Sequence, residues 1–170
     1  VNVTRTENTY MNKGGGVLGG NEGSTINIID CVIDGALAGY STAGGILHVE
    51  NCTVNIYNSV LKNGTALSGG IIRIGNLAVV NMYSGEITGG QLPAKKFDTE
   101  EDNTTGSGAG VYVTGTGVFN LYGGEIHDNT SAYGYSRGGN VYVFDNAAKS
   151  SAAVFNMYGG NIYNGDAMLG

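Results

Sequence analysis

The chain has no tryptophan, one proline, two cysteines and two histidines, and only 13% of its residues are charged. Each scarcity removes a class of protein. Two cysteines cannot build the disulfide framework of a small secreted scaffold, and with two histidines they give no zinc-ligand spacing. Eight Lys and Arg against fourteen Asp and Glu, a net charge of −6, leave no basic face for nucleic acid or an anionic membrane. No apolar run is long enough to span a bilayer, and the first residues lack the charged-then-apolar pattern of a secretory leader, so any export signal is expected outside this sequence. Helical periodicity is also missing. Strong helix formers are few, and 31 glycines interrupt whatever stretch they begin.

What is present is a repeat. A glycine-rich step, Gly14-Gly15-Gly16-Val17, returns as Gly44-Gly45-Ile46-Leu47, Gly69-Gly70-Ile71-Ile72, Gly108-Ala109-Gly110-Val111 and Gly138-Gly139-Asn140-Val141. Each is followed by a segment centred on asparagine: Ile26-Asn27-Ile28-Ile29, Val54-Asn55-Ile56-Tyr57, Val80-Asn81-Met82-Tyr83, Phe119-Asn120-Leu121-Tyr122 and Phe155-Asn156-Met157-Tyr158. Beyond a tight bend comes one more apolar residue, in turn Ile33, Leu61, Ile87, Ile126 and Ile162. Periods of this length mean stacked units. Period-two alternation within each segment predicts strands with one buried face.

At 170 residues and 41% hydrophobic content the chain reads as one domain, 1–170, able to bury a core. The fold expected is all-β: a right-handed, single-stranded parallel β-helix of about five to six coils, with three short strands per coil. Aligning the units places Val17, Leu47, Ile72, Val111 and Val141 in one inward column and Gly19, Val49, Ile74, Val113 and Val143 in the next. Leu18 would then share an outward column with His48, Arg73, Tyr112 and Tyr142. Val1-Asn2-Val3 reads as the asparagine strand of a preceding coil, which suggests a longer solenoid or a stacking subunit. Residues 91–107 read as an exposed insertion loop, with shorter ones at 131–137 and 145–153. Cys31 and Cys52 fall seven positions apart around the coil, roughly 20 Å in extended backbone, so two free, partly buried thiols are expected.

The glycine step followed by Phe-Asn-Leu-Tyr-Gly-Gly-Glu-Ile, Phe119 to Ile126, resembles the right-handed parallel β-helix repeats of bacterial surface and adhesin-like proteins, over most of residues 14–165. The resemblance implies an extracellular or cell-surface location and a role in adhesion. Pectin-degrading enzymes share such a fold, but their motifs do not transfer. Neither His48 nor His127 stands in a Gly-His-Gly with three close aspartates, and Arg73 has no acidic cluster in its aligned surroundings.

Four sets of residues could carry chemistry. The column Asn27, Asn55, Asn81, Asn120 and Asn156 suits a structural amide ladder. Beside it, Tyr57, Tyr83, Tyr122 and Tyr158, with Tyr112 and Tyr142 on another column, could contact a glycan or a protein partner, or simply stabilise strand pairing. Glu86 and Glu125 share a column with His127 two residues beyond, near the separation of about 5 Å that retaining glycosidases use. Asp98, Glu100, Glu101 and Asp102 could hold calcium; otherwise no metal or cofactor is expected.

The reading that follows is a non-catalytic extracellular structural or adhesion module of a bacterial surface protein. It would present loops and aromatic columns for multivalent binding, or assemble end to end as in a filament. The alternative is a carbohydrate-binding module or a polysaccharide-degrading lyase or glycoside hydrolase, so enzymatic activity stays open with the balance against it. The partners expected are a host or microbial surface glycan or protein, or further copies of the chain.

Overall fold

The computed structural model describes residues 1–4, 15–20, 22–36, 39, 41–93, 106–131, 136–144 and 152–167. Its strands are all parallel and sort into three long ladders. The first sheet joins Leu18–Gly20, Leu47–Val49, Ile72–Ile74, Val111–Thr114 and Val141–Phe144. The second, the asparagine sheet, joins Thr25–Ile29, Thr53–Tyr57, Val79–Met82, Val118–Leu121 and Val154–Met157. The third joins Asn2–Thr4, Val32–Asp34, Ser59–Lys62, Gly85–Thr88, Glu125–His127 and Asn161–Tyr163. Every strand pairs with its counterpart one coil away, which is the winding of a right-handed parallel β-helix. The chain rises about 4.8 Å per coil.

The reason these segments stack is visible in the interior. Leu47 and Val49, Ile72 and Ile74, Val111 and Val113 line one wall; Val54 and Ile56, Val80 and Met82, Phe119 and Leu121 line the second. Leu61, Ile87 and Ile126 close the third, and all of these side chains are fully buried. Period-two alternation puts every second residue inside, and parallel pairing satisfies the backbone between them.

The bends are built by left-handed residues. In the first two coils the turn into the third sheet uses Asp30 and Asn58 at φ 52° and 43°, whereas later coils use Gly85 and Gly124 one position on, at φ 109° and 93°. A Cβ on Gly85 would stand 2.0 Å from the Ser59 carbonyl oxygen, so close coil approach requires glycine there. Between the third sheet and the next coil, a short corner ladder adds Thr65, Gln91, Thr130 and Asp166, and another joins Ser68, Ser107 and Arg137. Gln91 and Ser107, the ends of the segment read as an insertion, are therefore paired into the scaffold. Among the described residues no helix is long and apolar enough to cross a membrane.

Two local expectations are corrected. Leu18, not Val17, pairs with Leu47; Gly19 pairs with His48 and Gly20 with Val49. Val17 instead takes the place of Ile46, donating its amide to the Ile46 carbonyl as Ile46 does to Ile71. Three successive glycines allow either reading from sequence, and the observed one leaves space beside Gly20 for Ile26 and the Cys52 thiol, each 2.9 Å from where a Cβ would sit. The second correction is at the start of the chain. Asn2–Thr4 pairs with Val32–Asp34, so it is a third-sheet strand with Val3 in the isoleucine column, not an asparagine strand. An apolar-Asn-apolar triplet fits both positions, and three residues carry too little pattern to choose. Cys31 and Cys52 are free, half-buried and buried respectively, as their spacing required.

The two ends of the core differ. On the asparagine sheet Ile28 is 3% exposed but its counterpart Met157 is 50% exposed, and in the isoleucine column Ile87 is fully buried whereas Ile162 is 36% exposed. Stability should follow that gradient. Replacing Ile87 with Ala is expected to lower the unfolding free energy by about 2–5 kcal/mol, while Ile162→Ala costs under about 1.5 kcal/mol. Denaturant titration of both variants checks the order, and equal losses would contradict it.

Candidate functional site

The asparagine column forms a continuous outward ladder. Each side-chain amide donates to the preceding coil: Asn55 Nδ2 to Asn27 Oδ1 at 2.9 Å, Asn81 to Asn55 at 3.0 Å, Asn120 to Asn81 at 2.9 Å and Asn156 to Asn120 at 2.9 Å. All four bonds point the same way. Each of the three middle amides, Asn55, Asn81 and Asn120, uses one donor hydrogen and one acceptor site within the ladder, which leaves one N–H and one lone pair per coil to face outward.

On one side of this ladder run Thr25, Thr53, Val79, Val118 and Val154; on the other run Ile29, Tyr57, Tyr83, Tyr122 and Tyr158. The tyrosines stack as plates, with ring centroids 4.6, 5.0 and 5.0 Å apart and interplanar angles of 1°, 9° and 12°. They are exposed, but the faces of Tyr83 and Tyr122 are covered by their neighbours. The row therefore offers ring edges and hydroxyls to a partner. Tyr83 has its phenol pushed up by burial among its neighbours, with contributions from the adjacent Tyr57 hydroxyl. Tyr112 and Tyr142, on the first sheet, also stack, at 5.7 Å and 6°, but both are half-buried.

No side chain in the three columns of the asparagine face is charged. Charge lies on the other two faces and is largely paired. On the first sheet, Arg73 donates to His48 Nε2 at 2.7 Å and lies 3.5 Å from Glu50. On the third, Lys62 sits 3.5 Å from Asp34. Burial opposes ionisation of Asp34, but the bonds from Asn63 and the Ala36 amide, with Lys62, outweigh it and hold the carboxyl below its ordinary range.

Glu86 and Glu125 are register partners, as are Thr88 and His127. The structure brings more groups to this spot than the sequence indicated. Tyr163 donates its hydroxyl to Glu125 at 2.7 Å and stacks on His127 at 4.9 Å and 3°. His127 Nδ1 lies 2.7 Å from Asp128, and Nε2 lies 3.8 Å from Glu86. The bond to Glu125, then burial and the nearby carboxylates, push the Tyr163 phenol up to about 12. Glu125 and His127 are thus engaged by neighbours on their own or the next coil. Among the described residues no group of His, Cys, Asp and Glu is placed to hold a metal ion. Asp98, Glu100, Glu101 and Asp102 lie outside the described residues.

A buried amide pair went unread in the sequence. Asn129 is fully buried, accepting from the Gly90 amide at 2.8 Å and donating to the Ile87 and His127 carbonyls and to Asn140 Oδ1, while Asn140 donates to the Tyr163 carbonyl at 2.7 Å. Asn129 occupies a position that is glycine in the neighbouring coils, Gly64, Gly90 and Gly165, and Asn140 stands where earlier coils have Ile46 and Ile71. The signal was a polar residue inside two otherwise small or apolar columns. The side chains satisfy each other, so the pair seals the interior at that corner.

No family model, curated protein or solved structure matches the chain, so its site is read from its own geometry.

Two outcomes follow from this geometry. Asn81→Ala breaks two ladder bonds and is expected to cost about 1–3 kcal/mol, whereas Asn156→Ala breaks one and should cost about 1 kcal/mol or less, by equilibrium unfolding. His48 has its imidazole pushed below 6.5 by burial and by the Arg73 charge, so below that pH the unfolded chain binds more protons than the folded one. The stability is complete above 6.5 and declines as pH falls through the lowered folded value. His48→Gln keeps an acceptor for Arg73 and should flatten this loss in denaturant midpoints taken between about pH 7 and pH 5. An unchanged slope would remove His48 as the cause.

Proposed function

We propose that the domain is a non-catalytic structural or adhesion module of a bacterial surface protein, and that the asparagine sheet is its contact face. The observation that carries the reading is the absence of charge from three adjacent columns, five coils deep, in a chain with net charge −6. Charged side chains must be stripped of water when a surface is covered, whereas amide, hydroxyl and aromatic edges lose less and recover it in hydrogen bonds. A face of this kind suits a neutral partner, either an uncharged surface glycan or an uncharged patch of protein.

The mechanism is geometric. The ladder repeats one free donor and one free acceptor every coil, and the tyrosine hydroxyls repeat alongside. Each contact is weak. Held at fixed intervals on a stiff scaffold, and displayed in many copies on a surface, they add through multivalency. Tyr83 and Tyr122, covered on both faces, have none free for sugar rings, which favours edge and hydroxyl contacts over ring-on-ring stacking in the middle of the row. The engagement of Glu125 by Tyr163 and of His127 by Asp128 supports a structural part for those groups over a hydrolytic one.

The test is to display the intact chain densely on beads and probe it with arrays of neutral glycans, acidic glycans and surface proteins. Retention of neutral probes that steepens with display density is the expected result. Val118→Glu, which places a carboxylate in the column beside the asparagine ladder, should weaken it at least about tenfold. Absence of retention at every density, or shortening of a polysaccharide during incubation, would refute the proposal.

A further inference from the structure

A phenol that gives up one electron and its hydroxyl proton becomes a phenoxyl radical, with spin on the oxygen and on the ring carbons beside it. The orbitals holding that spin stand perpendicular to the ring plane. Two phenoxyls therefore couple through their faces, and plate-like stacking presents those faces to each other. Tyr122 and Tyr158 are stacked in this way, 5.0 Å apart and 12° from parallel, on an exposed corner of the solenoid.

We propose that Tyr122 and Tyr158 form an oxidative cross-linking site, joined as dityrosine when the protein meets hydrogen peroxide together with a haem peroxidase. Each phenol loses one electron and one proton to the oxidant. One carbon–carbon bond then forms between the ring positions adjacent to the two hydroxyls. Each coupled carbon releases its hydrogen as a proton, and each oxygen regains one, so the rings become aromatic phenols again. In all, two hydrogen atoms leave the protein, and one hydrogen peroxide takes them up as two molecules of water.

The choice of pair follows from the shape of the product. The new bond converts a stack into two rings joined at their edges, so one ring must swing out of the row. Tyr83 is held between Tyr57 and Tyr122 and is 39% exposed, but Tyr158 stacks on one neighbour among the described residues and is 65% exposed. The two residues after each partner carry no side chain to crowd a displaced ring, because Gly123-Gly124 follows Tyr122 and Gly159-Gly160 follows Tyr158. Tyr57 and Tyr83 are nearer, at 4.6 Å. Their corner is pinned: Ser59 Oγ donates to the Tyr57 carbonyl at 2.7 Å, and the Asn58 amide donates to Ser84 Oγ at 2.9 Å. The product would fasten the coil of Tyr158 to the coil of Tyr122.

The experiment treats dilute protein with a haem peroxidase and limiting hydrogen peroxide, then digests it for mass spectrometry. The expected species is a peptide pair joined through Tyr122 and Tyr158, lighter than the sum of its parts by two hydrogens, with a yield per molecule independent of protein concentration. Because proximity makes the coupling unimolecular, Tyr158→Phe should lower intramolecular dityrosine fluorescence at least about tenfold. Tyr142→Phe should leave it unchanged, and far-ultraviolet circular dichroism confirms that both variants are folded. Cross-links found only between molecules, a dominant Tyr57–Tyr83 product, or the same yield in denaturant would each overturn the proposal.

Discussion

Like stacks on like in this molecule, and the register of that stacking is the constraint from which the rest follows. A slip of one residue between coils would carry asparagine amides into the core and isoleucine out to water. An amide without its partner in an apolar interior costs about 1–3 kcal/mol, and a slipped strand would bury one for every coil it crossed. The ladder from Asn27 to Asn156 thus acts as a ratchet on the alignment, with the apolar columns pulling in the same sense. Once register is fixed, the tyrosines have no choice of neighbour, and their plate-like stacking is a result of the strand spacing.

The same register separates the three faces by chemistry. Ion pairs and histidine contacts gather on the first and third sheets, where residues of unlike charge meet across coils. The asparagine sheet repeats neutral side chains instead. A repeat that copies its outward residues as faithfully as its inward ones would carry a charged position up the whole face, and like charges stacked at coil spacing repel. Neutrality on that sheet is therefore compatible with fidelity, whereas on the third sheet the Glu86 and Glu125 column repeats its charge over two coils and changes to Val60 and Asn161 on either side. This difference between faces underlies the reading of one of them as a surface for contact.

Much of the fold was legible because the sequence repeats what matters. The Asn-x-Tyr segment and the isoleucine column recur at equivalent positions, and period two then assigns inside and outside. Legibility failed where that period fails. Ile46 and Leu47 are both fully buried, as are Ile71 and Ile72, because the chain turns a corner between them. At such a corner two successive residues face inward, and with three glycines preceding Val17 nothing local fixed which residue came first. Asn129 and Asn140 were hidden for a different reason: each looks like one more asparagine in an asparagine-rich chain, and only their meeting across eleven residues reveals a satisfied buried pair. Tyr163 joined the Glu125 and His127 group by register alone, since no motif spans 38 residues.

The ladders make the solenoid a one-dimensional array, in which each interior coil is clamped by the coil above and the coil below and by little else. In such an array the opening of one unit weakens its neighbour, and the loss travels one unit at a time. Load applied along the axis would peel rungs in sequence, each absorbing work before the next gives way. A tether built on such a scaffold yields by lengthening in steps and keeps its remaining rungs folded while it does so.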